Sequence, residues 1–423
     1  MSDIIEKNDS PEPTEASQVA AFGGKAVAAA SVEVPSYMPR RTVGQLLRSD
    51  LGFIPVMLTL IVVVVYFSIV TQGIFLTPEN LSNLVGQIAT IGILGLGVIM
   101  VLLLGEIDLS IAAVSVLCSV VMAVFSERLG APAWVAILAA LLTGALIGLI
   151  NGFFVAVLRV PSFIVTLAGS IGYAGLLLNL LAGQATLIIN NSFINAIAGS
   201  FMPNYLGIGL PAIAVVLYAA SLIFNYVRRK RAGLRTVSLL WLVFQIVITA
   251  VLVLGAVAVF VSYQGVPYTT EILFGLIALF WLLLTKTAFG RHIYAVGGNS
   301  EAARRAGINV VGVRIAAFTM CSTLAAVGGI IAASRGTAVA SQIDPTLLLN
   351  AIAAAVIGGV SLFGGRGSVW AIVLGVLIIG SLVNGLALLS QGTDVSEMVE
   401  GAVLLVAVTV DALVRRAQAR SGR

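Results

Sequence analysis

Charged residues and histidine are scarce in this chain. Charged residues make up 10% of its 423 residues and there is one histidine, His292, whereas 59% of the residues are hydrophobic and the mean hydropathy is +1.09. Soluble domains carry roughly 25% charged residues, so a soluble fold of this length is excluded. A single histidine cannot build a metal cluster or complete a nucleophile with its base and acid, so neither a metal site nor an enzyme is expected.

Cysteine is also scarce, and no phosphate loop is present. Cys118 and Cys321 fall inside apolar runs, which favours small buried side chains over a disulfide. The nearest glycine-rich stretch, GGVSLFGGRGS at 358–368, lacks the lysine and the flanking strand of a phosphate loop. The chain is therefore expected to bind no cofactor, and ATP, if used, is hydrolysed by another chain. Basic residues form short clusters between apolar segments, where membrane topology explains them, so nucleic acid is not an expected partner.

What the sequence does contain is a succession of apolar runs of about 18 residues or more, each long enough to cross about 30 Å of hydrocarbon as a helix. They predict an all-α polytopic membrane protein with about 12 transmembrane helices (10–12). Residues 1–48 are predicted to be a disordered cytoplasmic tail, 49–414 the transmembrane domain and 415–423 a short basic cytoplasmic tail. The predicted helices are 51–72, 84–104, 108–126, 133–158, 163–182, 208–227, 237–262, 269–287, 315–333, 347–363, 369–390 and 397–414.

The distribution of lysine and arginine predicts which side each loop lies on. With twelve spans and a cytoplasmic N-terminus, all of the 23 Lys and Arg residues except Arg128 and Arg335 fall in internal segments. Flipping the chain or deleting one helix in the middle would destroy this asymmetry. Both termini are therefore predicted to be cytoplasmic. The longest external segment, about 183–207, could form a short re-entrant or surface helix.

Two acids, Glu106 and Asp108, lie between apolar runs in the segment GEIDLS. Acids at membrane depth often mark a substrate or proton path, which makes both residues candidates for gating. Alternatively, Asp108 or Ser110 can cap the third helix at the bilayer edge, and the sequence favours this interpretation. No basic residue is expected to be embedded beside these or the other acids, which counts against a proton-driven carrier.

The internal loop GGNSEAARRAGINVVGVR predicts a helix of two turns. Asn299 or Ser300 can cap its start, Glu301 suits its positive N-terminus, and Gly307 can close its end in a left-handed conformation. An isolated helix this short is marginal in water, so it should dock either on its own transmembrane helices or on a partner. A solvated helix with a Glu301–Arg305 pair and a docking plug for a cytoplasmic motor fit the residues equally well.

Neutral residues dominate the polar positions of the helices. The glycines Gly92, Gly95, Gly97, Gly144 and Gly148 are spaced for close helix packing. Scattered neutral polar groups suit a hydroxyl-rich cargo better than an ion, although hydrogen bonds between helices explain each of them too. These substrate-path candidates are Gln87, Asn151, Thr166, Asn179 and Asn384.

Four ordered motifs resemble one known family. GEIDLS, NGFFVAVLRVPSFIVTLAG at 151–169, GRHIYAVGGNSEAARRAGINV at 290–310 and IGGVSLFGGRGS at 357–368 resemble bacterial permeases of ABC importers for ribose, xylose and related monosaccharides. The resemblance covers roughly residues 50–414. The basic run RRKRAGLR at 228–235, followed by an extra helix with Trp241, is similar to the longer, xylose-type members, and Glu106 stands where the family commonly has glycine.

The resemblance implies a multi-pass permease of the bacterial inner membrane that is not itself an enzyme. It implies pairing with a second permease, a homodimer being expected, sugar delivery by a periplasmic sugar-binding protein, and power from ATP-binding cassette subunits. It assigns Glu301, Ala302, Ala303, Arg304 and Gly307 to the coupling loop that docks on the ATPase. The expected cargo is a pentose, xylose first, moved by alternating access. The alternative is an ion-coupled secondary sugar carrier.

Overall fold

The fold is a bundle of long apolar helices, seen in a computed structural model that describes residues 53–234 and 236–420. The predicted tail 1–48 lies outside the described residues. A helix lies in each of the twelve predicted segments. The helices are α1 Phe53–Val70, α2 Pro78–Leu102, α3 Ile111–Ala123, α4 Ala133–Ala156, α5 Ser162–Leu181, α6 Ser192–Gly199, α7 Asn204–Arg231, α8 Leu239–Val261, α9 Tyr268–Lys286, α10 Ala288–Gly298, α11 Ser300–Arg305, α12 Val310–Gly336, α13 Pro345–Ile357, α14 Ala371–Leu388 and α15 Thr393–Arg420.

Helix ends differ from the predicted ones where caps override hydropathy. Helix α2 begins at Pro78, before the predicted residue 84, because the Thr77 side chain accepts a hydrogen bond from the Asn80 N–H and proline suits the first helical position. Helix α13 ends at Ile357, and Gly359 follows with a φ of +103°. Helix α15 continues to Arg420, past the predicted end at 414, so the predicted tail 415–423 is helical over its described part.

A short antiparallel sheet departs from the all-α prediction. Strand β1, Thr186–Ile188, pairs with β2, Ala338–Ala340, with Leu187 opposite Val339. Helix α6 follows β1, capped by the Asn191 side chain, which accepts from two backbone N–H groups. The predicted external segment therefore holds a strand and a short helix, tied to the end of α12.

Nine helices in the described part of the chain are long and apolar enough to cross a membrane. Two shorter apolar helices, Val56–Val70 and Pro345–Ile357, accompany them. The membrane-protein fold class is thus confirmed, whereas the count of twelve spans and the side on which the termini lie stay predictions.

Helix α12 forms the centre of the bundle, packed against α4, α2 and α3. Glycines on α4 make this packing close: a Cβ built on Gly144 would lie 2.7 Å from the carbonyl oxygen of Ser322, and one on Gly148 would meet Phe318. On α2, Gly97 and Gly92 approach Cys321 and Leu273 in the same way. The predicted role of these glycines in helix packing is confirmed.

Candidate functional site

The short helix α11 has the capped geometry that its sequence predicts. The Asn299 side-chain oxygen accepts from the Ala302 N–H at 2.9 Å, so Asn299 rather than Ser300 is the cap. Gly307, with a φ of +83°, closes the other end. The Glu301 carboxylate pairs with Arg304 at 2.9 Å and with Arg305 at 3.1 Å. The hydrogen bond from Arg304 lowers the pKa of Glu301.

Helix α11 presents most of its side chains to solvent. Glu301, Ala302, Arg304 and Gly307 are exposed, whereas Ala303 is buried against the bundle. A helix anchored through one alanine keeps its charged side open. The exposed side is open to another protein, and a solvated helix with these ion pairs fits the same observations, so the coupling role of α11 stays a prediction.

Two loops and the end of α10 meet beside α11 and form what we call the loop junction: residues 103–110, 358–368 and 297–299. The Gly365 N–H donates to the Leu103 carbonyl at 2.9 Å, and the Tyr294 hydroxyl donates to the Gly367 carbonyl at 2.9 Å. Gly297 lies so close to the Leu103 carbonyl that a Cβ there would collide with it. Backbones in direct contact leave no flexible side chain between them, so a displacement of one of these three segments is expected to displace the others.

Helix α5 anchors the first of these loops from the side. The Ile107 N–H donates to the Ser162 hydroxyl at 3.3 Å, and the Leu109 N–H donates to the Thr166 hydroxyl at 3.0 Å. These two hydroxyls accept hydrogen bonds from backbone N–H groups that lie outside any helix and therefore have no helical acceptor. All four motifs that resemble the permease family therefore converge on the loop junction or its anchors.

Asp108 is deeply buried, with a side chain only 2% exposed. Its carboxylate accepts from the Ser110 N–H at 2.8 Å, from the Ser110 hydroxyl at 2.6 Å and from the Cys321 thiol at 3.6 Å. Burial raises the pKa of this carboxyl group. Ser110 occupies the N-cap position of α3 and its side chain makes no capping bond, whereas the Asp108 carboxylate accepts from the backbone N–H of Ser110 just before the helix.

Glu106 has a basic partner, which corrects the expectation that none would be embedded with the acids. Its carboxylate lies 3.3 Å from the Arg314 guanidinium, and the two side chains are 16% and 25% exposed. The pair joins the loop before α3 to the start of α12. The Arg314 Nε is buried with no hydrogen-bond partner among the described residues, so this pair is held at a cost.

The five predicted substrate-path residues do not come together at one place. Asn151 accepts from the Tyr173 hydroxyl at 2.7 Å and donates to the Ser110 hydroxyl at 3.3 Å, and Thr166 belongs to the loop anchors. Asn384 exchanges two hydrogen bonds with Asn80, at 2.9 and 3.1 Å. These three are engaged in packing between elements, whereas Gln87 is half-buried and Asn179 is exposed. A path role for all five stays a prediction.

A cavity of about 550 Å³ opens on the predicted external side, between the ends of α13, α14 and α15. Its lining mixes hydroxyl, amide and carboxylate groups, which can hydrogen-bond a ligand rich in hydroxyls. The polar residues that line it are Gln342, Asp344, Thr346, Gln391, Thr393, Ser396, Glu397 and Glu400.

Sequence reasoning did not identify Arg314, Tyr294 or Gly297 as parts of the site. Each acts through a residue distant in the chain, such as Glu106 or Gly367, so no local spacing reveals the contact. The available signal was indirect: paired glycines at 297–298 and 364–365 mark backbones in close approach.

Comparison with known proteins adds independent findings. Residues 80–408 match the family model described as "Branched-chain amino acid transport system / permease component". The chain is 38% identical over 357 residues to the xylose transport system permease protein XylH of Haemophilus influenzae, covering 84% of this chain and 94% of that one. It is 31% identical over 360 residues to the ribose import permease protein RbsC of Escherichia coli, covering 84% and 92%. It is 29% identical over 399 residues to the fructose import permease protein FrcC of Rhizobium meliloti, covering 93% and 96%. No solved structure matches the chain.

Proposed function

The chain belongs to the family of transport-system permease components, and from this premise we propose that it carries a monosaccharide, xylose first, inward across the bacterial inner membrane. The chain is a multi-pass permease of an ABC importer rather than an enzyme. In our proposal it binds no cofactor, and ATP is hydrolysed on a separate ATP-binding cassette subunit. A periplasmic sugar-binding protein delivers the cargo, and two copies of the permease pair in the bilayer.

Relatives named for sugars support a sugar cargo. Identity is 38% to a permease named for xylose, 31% to one named for ribose and 29% to one named for fructose. The family description mentions branched-chain amino acids, whereas the relatives that match over most of their own length are named for sugars. The order of identities favours xylose.

The observation that carries the proposal is the attachment of α11 to the loop junction. An exposed, capped helix follows directly on Gly297 and Gly298, whose backbones contact the loops before α3 and before α14. A push on α11 therefore reaches α2, α3 and α14 through backbone contacts, and it reaches α12 through the Glu106–Arg314 pair. This geometry supports a coupling role for α11.

The proposed mechanism is alternating access. ATP binding closes the cassette subunits, the motion displaces α11, and the helices joined at the loop junction rock between outward-open and inward-open states. The permease needs no tight sugar site if the external receptor supplies the affinity. Neutral polar groups such as Gln87 suffice for a weak path.

Charge reversal and backbone strain in α11 test this function. Glu301→Lys removes two ion pairs on the exposed side, and Gly307→Leu forces a side chain into a left-handed position at a local cost of about 1–2 kcal/mol. Both variants are expected to insert normally, to lose co-purification with the cassette subunit, and to lose ATP-driven uptake of xylose.

Matched controls exist for both substitutions. Glu79→Lys makes the same charge change on an exposed residue at the predicted external side. Gly233→Leu makes the same backbone change at a glycine with a φ of +66° and open space around it. Both controls are expected to retain partner binding and transport. If the α11 variants also retain binding to the cassette subunit and uptake of xylose, α11 is not the coupling element.

A further inference from the structure

Helices α7 and α8 form a hairpin at the edge of the bundle. They pack on each other, and α8 also packs on α2. Only 6% of the apolar span of α7 and 11% of that of α8 is buried within the described chain. Large side chains such as Leu217 and Phe224 are 65% and 66% exposed. In a membrane protein this outer surface contacts lipid.

The predicted cytoplasmic end of the hairpin carries a basic turn, Arg228–Arg231. Helix α7 has 28 residues, which span about 42 Å, whereas the hydrocarbon core is about 30 Å thick. The helix is longer than the hydrocarbon core, and its charged last turn is expected at the level of the lipid headgroups. The start of α8 supports this depth, because Trp241 is 51% exposed and stacks on Phe244, and tryptophan concentrates at the membrane interface.

The basic turn has no acidic partner among the described residues. Its four side chains, Arg228, Arg229, Lys230 and Arg231, are all exposed and take part in none of the ion pairs of residues 53–234 and 236–420. The described acids on the same predicted side are engaged elsewhere: Glu106 with Arg314, Asp108 with Ser110, and Glu301 with Arg304 and Arg305. None of these three acids therefore neutralises the basic turn.

We propose that the basic turn Arg228–Arg231 binds the phosphate headgroups of anionic phospholipids in the inner leaflet. Arginine donates two parallel hydrogen bonds to a phosphate, and clustered cations next to a membrane helix attract anionic lipid. Membrane orientation requires only positive charge on this side, whereas four cations on one exposed turn also form a headgroup site. A second permease copy is disfavoured here, because two-fold pairing through this turn would bring like charges together.

Lipid titration of the purified full chain tests the proposal. Native mass spectrometry measures binding of dioleoylphosphatidylglycerol and of dioleoylphosphatidylcholine. The double variant Arg228→Gln with Arg231→Gln keeps Arg229 and Lys230 to hold the orientation. It is expected to bind the anionic lipid at least about tenfold more weakly and the zwitterionic lipid unchanged.

The matched control removes two other predicted cytoplasmic charges, with Lys286→Gln and Arg291→Gln. Lys286 lies over the Trp281 ring and Arg291 donates to the Thr287 carbonyl, so these cations are already engaged by the protein. The control is expected to bind both lipids like the unaltered chain. If the double variant fails to insert, Arg231→Gln alone should weaken anionic-lipid binding about threefold.

Three results would overturn the proposal. One is equal binding of the two lipids by the unaltered chain. Another is unchanged binding of the anionic lipid by the variant of the basic turn. The third is a shift of that variant between monomer and dimer with lipid binding unchanged, which would assign the turn to a second copy.

Discussion

At the residue scale, the buried Asp108 sets the first prediction. Asparagine at this position can still accept from Ser110 through its oxygen, whereas alanine leaves the Ser110 N–H without its acceptor. Asp108→Ala is therefore expected to lower the free energy of unfolding by about 2 kcal/mol, and Asp108→Asn by less than about 1 kcal/mol. Thermal unfolding in detergent, read by intrinsic fluorescence, measures both changes. Equal loss in the two variants would contradict the role of this acceptor.

The pH dependence of Asp108 follows from the direction of its pKa shift. Burial raises the pKa of this carboxyl group in the folded state, so the folded state favours the neutral form. Its contribution to stability is greatest below the ordinary value of about 4 and decreases as pH rises toward the raised pKa. The difference in unfolding temperature between the unaltered chain and Asp108→Asn should therefore change with pH above about 4. A constant difference would contradict the shift.

The Glu106–Arg314 pair sets the second prediction, argued from its partial burial. Because both side chains are mostly shielded, a double-mutant cycle with Glu106→Gln and Arg314→Met should give a coupling energy of about 1–2 kcal/mol, above the value of about 0.5 kcal/mol typical of surface pairs. The swap Glu106→Arg with Arg314→Glu should recover part of the uptake that each charge reversal alone abolishes. Full uptake in the single reversals would show that the pair does not transmit motion.

The sequence predicts contacts between residues that are close together in the chain, and it does not predict contacts between residues far apart in the chain. The Asn299 cap and the Glu301 ion pairs join residues three or four apart, so helical geometry alone predicts them. The contact from Cys321 to Asp108 joins residues 213 apart, and the Glu106–Arg314 pair is comparably distant. Such contacts depend on how helices pack, which the composition of a single sequence does not determine.

At the element scale, the adjacent glycines of the loop junction give a matched pair of substitutions. A Cβ on Gly297 would collide with the Leu103 carbonyl, whereas one on Gly298 meets nothing within 4 Å. Gly297→Ala is expected to separate the loops, to lower the free energy of unfolding by about 2–3 kcal/mol and to reduce coupling to ATP at least about tenfold. Gly298→Ala should change stability by less than about 1 kcal/mol and leave uptake intact. Thermal unfolding and ATP-driven uptake in proteoliposomes distinguish the two, and equal behaviour would contradict the close contact.

The sequence predicts the long apolar helices, but it does not predict all of the short elements. Hydropathy indicates α4 and α14 because each has enough apolar residues to span the bilayer. Helix α10 mixes glycine, arginine and histidine over 11 residues, and strands β1 and β2 have three residues each. Segments this short carry no clear period, and tertiary packing decides their structure.

At the scale of the whole molecule, the charge asymmetry predicts sidedness. Ser192→Cys places a thiol on the predicted external side, and Ala232→Cys places one on the predicted cytoplasmic side, both at exposed positions. The native Cys118 and Cys321 are buried and should not react. A membrane-impermeant thiol reagent applied to intact spheroplasts is expected to label only the Ser192→Cys protein. Labelling of the Ala232→Cys protein instead would reverse the topology.

The whole-molecule function was predictable because membrane composition, four motifs and missing catalytic groups agree. The sequence does not decide the role of the neutral polar residues. Asn151, Thr166 and Asn384 belong to residue types that occur both in sugar paths and in helix packing. A helix face that is buried within one chain and a helix face that is buried by a second copy have similar sequences, so the sequence does not distinguish them.

Reconstituted transport tests the central claim, that this chain carries no motor and takes its power through α11. Proteoliposomes that contain the permease, its cassette subunit and the sugar receptor should take up labelled xylose only when ATP is available to the cassette subunit, and Glu301→Lys should abolish that uptake. Vesicles with the permease alone should show no accumulation under a proton or sodium gradient. Accumulation of xylose by the permease alone, driven by an ion gradient without nucleotide, would contradict the account.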